Sequence, residues 1–465
     1  MKVCVLQPDY STTEVDYKNY DPPRNLSSLL PDDIVDHVFL NKLSTWRQLN
    51  QLKKNKYDIF INLCEGYLDW EVPSIDVIHS LEMLNLPYTG PNAILYDPPK
   101  ELMKYVAYTC HVKTPSYTII NEETDINKAI KDLKFPLFIK PSKAGDSLGI
   151  DDDSLVNNEK DLLSKTISLL KEYDEILVEE YVAGREFTVL VVKNANENNA
   201  TVYQPLEFIF PEGKKFKTYS LKTSELHREC NVTCTDTHLC ERLKEDASGI
   251  FKAFNGVGYA RLDFRVNNKN EIFFLEINFT CSVFYENGYE GSADYILMNA
   301  PGGKKDFLQK IIQEGILRHQ QKQKKYLVKG NSLSGYGIYA AKDIEVGEII
   351  FHSEEKPHRL VTKKFVEENW DADAIHNFKR YAWPLSTEVY VLWDEDPSAW
   401  APQNHSCEPN TQYEGLNVVA IKPIKKGEEL TLDYATFLDD EMESFVCNCG
   451  SVNCKKIITV SVVDR

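Results

Sequence analysis

The stretch G-Y-A-R-L-D-F-R-V-N-N-K-N-E-I-F-F-L-E-I-N, Gly258 to Asn278, reads as two β-strands joined by a polar turn. The first runs over Gly258–Val266 and the second over Glu271–Asn278. Side chains alternate along a strand, so Arg261 and Asp263 fall on one face of the first, and Glu276 and Asn278 share a face of the second. Three oxygen ligands and a guanidinium are gathered in this way. That is the set required by Mg²⁺ bound to a nucleotide polyphosphate. For any one of these pairs taken alone, an exposed strand face with a surface ion pair is the favoured reading. Two such pairs flanking one hairpin within apolar sequence point to chemistry instead.

Working outward, Lys140 ends the apolar strand F-P-L-F-I-K-P (Phe135 to Pro141) and is followed by S-K-A-G-D-S-L-G-I. A lysine beside a loop of small residues lets backbone N–H groups come close to phosphate. Further on come the helical Leu162–Leu170, the strand E-I-L-V-E-E-Y-V and long strands from Glu186. Before Lys140, residues 1–105 alternate short apolar strands (Val3–Leu6, Asp58–Leu63) with helical runs such as Val72–Leu84. That pattern predicts an α/β domain with a parallel sheet.

Taken in order, these pieces resemble the ATP-grasp superfamily, and most closely the D-alanine–D-alanine ligases, over roughly residues 55 to 280. L-N-L-P-Y-T-G-P-N matches the end of the family's first domain, F-I-K-P-S-K-A-G-D-S-L-G-I its phosphate loop, and I-L-V-E-E-Y-V-A-G-R-E-F its adenine hinge. G-Y-A-R-L-D-F and F-L-E-I-N match its metal strands. The resemblance implies that Lys100, Lys140 and Lys222 contact the ATP phosphates. It gives adenine to Glu179 and the backbone from Glu180 to Val182, and the ribose to Glu186. Asp263, Glu276 and Asn278 would bind Mg²⁺, and Arg261 would stabilise charge developing on an acyl phosphate. The family phosphorylates a carboxylate with ATP and then lets an amine attack it. The departures concern substrate. Gln7-Pro-Asp-Tyr-Ser stands where the ligases carry G-G-x-S-x-E, L-C-E-G-Y-L-D-W-E-V replaces H-G-x-x-G-E-D-G, and F-T-C-S-V-F-Y-E-N-G follows Asn278. These changes argue against a cell-wall dipeptide ligase.

Near the C-terminus stand N-H-S-C-E-P-N (Asn404 to Asn410), L-T-L-D-Y (Leu430 to Tyr434) and C-N-C-G-S-V-N-C (Cys447 to Cys454). Cys407, Cys447, Cys449 and Cys454 make a candidate zinc set, because a C-x-C-x4-C knuckle supplies three thiolates from one loop. Spacing alone leaves chance clustering open. With S-G-Y-G-I-Y-A-A-K-D-I-E-V-G-E-I-I (Ser334 to Ile350), the ordered motifs resemble SET-domain methyltransferases with a post-SET zinc knuckle. The resemblance implies that Gly335, Tyr336, Gly337, Asn404 and His405 contact S-adenosylmethionine. Tyr434 would close the methyl-transfer channel, with Tyr390 as its partner across it. For His405 a purely structural part stays open. Leu432 stands where histone-type enzymes often carry an aromatic residue, and Cys230, Cys234 and Cys240 belong to the ATP-grasp block rather than to a pre-SET cluster, which disfavours a nucleosomal substrate.

The predicted fold class is therefore an α/β ATP-grasp region of three subdomains followed by a mostly-β SET domain with a post-SET zinc site. The expected boundaries are 1–105 for the N-terminal α/β domain and 106–318 for the ATP-grasp domain (lid about 106–185, metal-binding part about 186–318). A linker at 319–325, a SET domain at 326–440 and a zinc segment at 441–465 follow. A net charge of −18, from 53 basic and 71 acidic residues, argues against a general grip on nucleic acid or anionic membrane. Eleven cysteines at irregular spacing suit a reducing compartment, so the cytoplasm is expected, with the nucleus open. The expected activity is twofold, joining an amino acid or peptide by ATP and methylating an amine, with a protein lysine as one acceptor class. The alternative is a protein-lysine methyltransferase carrying a non-ligating nucleotide-binding module.

Overall fold

The computed structural model describes residues 1–459 apart from 69, 144–146, 196–198, 220–227, 333, 356–357, 394–400, 438 and 440–443. The chain divides into two compact units, Met1–Lys322 and Gln323 onward.

The first unit holds three sheets among the described residues. Strands β1 (Lys2–Pro8), β2 (Ile34–Leu40) and β3 (Ile59–Asn62) form a parallel sheet in the order β2-β1-β3. A parallel sheet is covered on both faces, which explains the unbroken apolar run V-C-V-L. Cys4 and Leu6 pack with Leu49, Val77, Ile78 and Leu81 from the helices Thr45–Leu52 and Ile75–Met83. Val3 and Val5 face the other way, against Phe307, Leu308 and Ile311 of the helix Gly303–Lys322. That helix runs on through 319–322, where the sequence suggested a linker, because Gln and Lys are strong helix formers.

The second sheet orders β4 (Tyr117–Ile120), β5 (Leu137–Pro141), β6 (Leu155–Val156) and β7 (Ile176–Glu180) as β4-β7-β5-β6, with the helices Ile126–Asp132 and Glu159–Leu170 sharing one apolar cluster with it. The third is built on β8 (Arg185–Lys193), β9 (Ala200–Val202), β10 (Leu206–Phe208), β11 (Asn231–Thr233), β12 (Tyr259–Val266) and β13 (Ile272–Asn278). Its order is β11-β10-β8-β12-β13, with β9 added to β8. Leu243, Ala247 and Ile250 of the helix Thr237–Ala253 pack on Phe264 and Phe274 beneath it. Cys230, Cys234, Cys240 and Cys281 are buried free thiols of this unit.

The second unit is made of short strands, as expected of a chain that turns every few residues. A hairpin of β14 (Tyr326–Asn331) and β15 (Gly335–Ala340) precedes β16 (Ile349–Phe351). Then come β17 (Leu360–Thr362), β18 (Trp383–Pro384) and β19 (Val389–Val391), sheeted as β17-β19-β18. The parallel pair β20 (Asn404–His405) and β23 (Thr431–Leu432) brackets the hairpin of β21 (Thr411–Glu414) and β22 (Asn417–Ala420). The strands β24 (Phe445–Val446) and β25 (Ile457–Ile458) close the unit. Among the described residues no helix is long and apolar enough to cross a membrane.

Candidate functional sites

A cavity of about 730 Å³ opens within the first unit, lined by side chains from all three of its sheets or the loops beside them. The pairing of β12 with β13 builds its chemical wall. Asp263 lies directly opposite Glu276 and Arg261 opposite Asn278, with a register shift just after Asp263. Arg261 donates to both oxygens of Asp263, at 3.2 and 3.1 Å, and Thr188 on β8 donates to Asp263 Oδ1 at 2.7 Å. Burial alone would weaken the hold of Arg261 on its proton, but Asp263 more than reverses that and keeps the guanidinium charged. Lys100, at the start of the helix Lys100–Thr109, stands 3.7 Å from Glu276. Two opposed carboxylates and an amide oxygen form a hard oxygen donor set of the kind Mg²⁺ takes.

Lys140, Glu179, Glu180, Val182 and Glu186 line the same cavity. Glu179 is only 3% exposed and bridges two lysines, accepting from Lys140 at 2.6 Å and from Lys104 at 2.7 Å. Burial pushes this carboxyl up, yet the two ammonium groups overcome it and hold it at about 2. A carboxyl lowered in the folded state stabilises it above the ordinary value of 4.5 and loses that contribution as pH falls towards 2. The stability gap between wild type and Glu179→Gln, read from urea midpoints, is therefore expected to be widest at neutral pH. It should narrow steadily below about pH 5. Glu186 is clasped in turn by Lys217 at 3.2 Å and Arg265 at 2.9 Å. Lys222 lies outside the described residues.

In the second unit, Gly335 has a left-handed φ of +83°, and Gly337 sits where a side chain has no room. A Cβ at 337 would come within 2.3 Å of Glu429 Oε1 and 2.8 Å of Asn404 Nδ2. Those two atoms are bonded to each other at 2.7 Å, and Asn404 also donates to the Tyr336 carbonyl at 3.0 Å. Tyr336 itself is exposed. Gly337→Ala would have to break this Asn404–Glu429 clasp. It is expected to weaken S-adenosylmethionine binding at least tenfold by calorimetry, with a stability loss of only about 1–3 kcal/mol.

His405 joins two parts of the unit. The Tyr434 N–H donates to His405 Nδ1 at 3.1 Å, which leaves the proton on Nε2, 3.3 Å from Cys407 Sγ. Burial lowers the affinity of the imidazole for a second proton, consistent with this neutral form. The Tyr434 hydroxyl donates to the Gln403 carbonyl at 2.6 Å, and burial pushes it up to about 12, so it is neutral. Tyr390 is not brought beside it. Its ring packs on Phe378 in a separate cluster with Val366 and Ala382, and its hydroxyl donates to Asp439. Phe437 and Phe445 are the rings packed against Tyr434, and Trp383 and Tyr413 in turn pack on Phe437. Alternation along the very short β19 carries Tyr390 inward against the helix Ala372–Tyr381.

The Sγ atoms of Cys407, Cys447, Cys449 and Cys454 all lie within 4.8 Å of one another, those of Cys407 and Cys447 at 3.8 Å. Four sulfurs at about 2.3 Å from one ion would stand roughly 3.8 Å apart, so the donor set fits zinc. Backbone N–H groups of Cys407, Cys449 and Lys455 point at these sulfurs at 3.3 to 3.5 Å, the arrangement that favours thiolates.

Residues 106–284 match the D-ala D-ala ligase C-terminus family, and residues 335–435 match the SET domain. The D-alanine–D-alanine ligase of Janthinobacterium sp. (strain Marseille) is 30% identical over 264 residues, covering 54% of this chain and 78% of that relative. The chain belongs to the D-alanine–D-alanine ligase family. The ligase of Aquifex aeolicus (strain VF5) is 31% identical over 201 residues, 43% of this chain; the chain spans 64% of that relative's length, just under two thirds. Two solved structures share the ATP-grasp fold at a TM-score of 0.50. The D-alanine–D-alanine ligase from Coxiella burnetii is 18% identical and is matched over 70% of this chain and 97% of its own. D-alanyl-alanine synthetase A from Vibrio cholerae O1 biovar eltor str. N16961 is 19% identical, over 68% and 98%. To this ligase-family region the chain adds a SET domain.

Several residues that hold these sites together escape a reading by motif. Lys104 follows Lys100 by four, one turn along the same helix face, and that spacing was a usable signal. Lys217 holds Glu186 from a loop, and Arg265 holds it from β12, where period-two alternation puts it on the face of Arg261 and Asp263. Glu429, the partner of Asn404, hides in the charged run K-K-G-E-E.

Proposed function

We propose that the chain is a bifunctional enzyme, an ATP- and Mg²⁺-dependent carboxylate–amine ligase joined to an S-adenosylmethionine-dependent N-methyltransferase. The observation that carries the ligase reading is the pairing of Asp263 with Glu276 and of Arg261 with Asn278 across one hairpin, in a cavity shared with Lys100 and Lys140. A substrate carboxylate oxygen attacks the terminal phosphorus of ATP, and ADP departs with the bonding pair. An amine then attacks the acyl carbon, and phosphate leaves. Asp263, Glu276 and Asn278 would hold Mg²⁺, which would supply charge neutralisation on the phosphates. Lys100 and Lys140 orient the phosphates, and Arg261 faces the oxygen that gains charge as the acyl adduct forms. Glu186, held by Lys217 and Arg265, is the group assigned to the ribose, and the backbone of Glu180 to Val182 is assigned to adenine.

For methyl transfer, Gly335, Tyr336, Gly337, Asn404 and His405 are assigned to the donor. The neutral hydroxyl of Tyr434 would orient the acceptor amine while water is excluded. Tyr390 serves the packing of its own cluster. The four cysteines would hold zinc, which would brace the wall that carries Tyr434. Both substrates are small amines or amino acids in this reading, with a protein lysine as the second acceptor class, and the cytoplasm as the setting.

The test is incubation with ATP, Mg²⁺ and pooled L- and D-amino acids, with and without S-adenosylmethionine. Mass spectrometry would then look for condensed and methylated products. ADP release, with a product at the summed mass of two substrates less one water, is expected. ATP binding with no turnover in any pool would replace the ligase by a nucleotide-binding module attached to a methyltransferase.

A further inference from the structure

The carboxyl ends of the strands in a parallel sheet are where α/β folds bind ligands. Here that edge is occupied by a charged network. Gln7, the penultimate residue of β1, accepts from the Arg24 N–H at 2.6 Å. Arg24 is fully buried, pairs with Asp21 and with Glu65 at 3.2 Å each, and donates to the Leu63 and Val283 carbonyls. Glu65 follows β3 and takes Arg24 on one oxygen. On the other it accepts the hydroxyl proton of Ser282. Ser282, four residues beyond Asn278, lines the cavity that holds Arg261, Asp263 and Glu276, whereas Glu65 stands behind it. Tyr10 and Tyr285 both donate to Asp21, which fixes the Arg24 end of the network.

The departures in sequence fall on this network. Glu65 lies in L-C-E-G-Y-L-D-W and Ser282 in F-T-C-S-V-F-Y, two of the segments that differ from the ligase pattern. An amine arriving as ammonium must lose a proton before it can attack an acyl phosphate, and a cavity-facing hydroxyl already donating to a carboxylate is wired to take it.

We propose that Ser282 and Glu65 form the proton relay that activates the amine nucleophile of the ligase reaction. This inference rests on the ligase reading above. The substrate ammonium gives a proton to Ser282 Oγ as the serine proton passes to Glu65 Oε2. The freed nitrogen lone pair forms the C–N bond, and the acyl C–O bond breaks with its electron pair leaving on phosphate. The second nitrogen proton is lost to solvent as the amide forms. Ser282 is the catalytic group here, and Glu65 acts through it.

Burial raises the Glu65 carboxyl to about 7, Arg24 and the Ser282 hydroxyl hold it down, and Asp21 pushes it up. Tyr259 on β12, Cys281, Cys64 and Tyr96 are the other titratable groups that feel its charge. A proton acceptor poised there can both accept and release a proton near neutral pH.

Hydroxylamine separates activation of the carboxylate from activation of the amine, because it attacks acyl phosphates as a neutral nucleophile. The full-length protein would be given ATP, Mg²⁺ and an equimolar pool of L- and D-amino acids, with or without hydroxylamine. Glu65→Gln and Ser282→Ala are each expected to lower amide formation at least tenfold while hydroxamate formation stays within twofold of wild type. In Glu65→Gln the rise of amide formation with pH should move to higher pH, towards the ionisation of the amine itself. Equal loss of hydroxamate and amide in both variants, with unchanged thermal unfolding, would overturn the relay and leave a structural network. So would full amide formation in Ser282→Ala, the variant that removes a single oxygen. Absence of hydroxamate in wild type would instead bring down the ligase reading, and the relay with it.

Discussion

Asp263→Asn is expected to lower ATP-dependent ADP release roughly 10³-fold while leaving the fold in place. The substituted amide keeps an oxygen for Thr188, which donates to Asp263 Oδ1 at 2.7 Å. It loses the negative charge that balances Arg261 across two hydrogen bonds. Glu276, directly opposite on β13, remains as a counter-charge for the guanidinium. The stability cost should therefore stay below the ~3–5 kcal/mol of an orphaned buried charge. The catalytic cost has no such compensation, because the metal donor set falls from two carboxylates to one. Measured ADP release, urea midpoint and S-adenosylmethionine affinity should part company, with only the first collapsing. A variant that kept its ADP release would remove Asp263 from the metal set.

How far sequence led depends on whether the deciding interaction lies within one strand or between distant segments. The period-two alternation that put Arg261 with Asp263 and Glu276 with Asn278 follows from backbone geometry alone, and the pairing of β12 with β13 adds only the register. The cysteine set was equally legible, since three of its members lie within eight residues of one another and the fourth sits in a recognisable turn. Tyr390 shows the opposite case. Its strand is three residues long, so the helix packed beside it decides which way the ring faces, and motif order says nothing about that. Sequence places Glu179 with the adenine hinge and gives no sign that both of its oxygens are engaged by lysines 39 and 75 residues upstream. Arg24 and Glu65 are 41 residues apart, only Glu65 falling in a segment that departs from the family pattern, and the sheet edge brings them together. Interactions that close long loops have no local periodicity to betray them.

Removing zinc is expected to abolish S-adenosylmethionine binding and to unfold the C-terminal segment locally, with the first unit keeping its own unfolding transition. Among the described residues the other ties are polar and half-buried or exposed: Ser451 to Ser406 at 3.2 Å, Asn453 to Glu408 at 2.6 Å and Lys455 to Asp433 at 2.9 Å. Strands β24 and β25 are two residues each, and the apolar cluster around them consists largely of the cysteines themselves with Tyr434, Phe437 and Phe445. Structural zinc sites in small peptides are worth on the order of 10 kcal/mol, far more than a two-residue ladder can replace. The loss would spread by a short path. Cys407 holds the His405 Nε2 side, and His405 Nδ1 holds the Tyr434 backbone, so release of Cys407 would free both the histidine proposed for the donor site and the tyrosine proposed for the channel. Cys447→Ser should reproduce the chelator result, because Cys447 is the buried member whose sulfur lies 3.8 Å from that of Cys407. Zinc content, calorimetric S-adenosylmethionine binding and proteolysis of the C-terminal segment should change together. His405→Ala separates the two halves of the path: zinc should stay bound while the donor affinity falls at least tenfold. If chelation stripped the zinc and left donor binding intact, the cysteine site would be a brace for the C-terminus alone, with no hold on Tyr434.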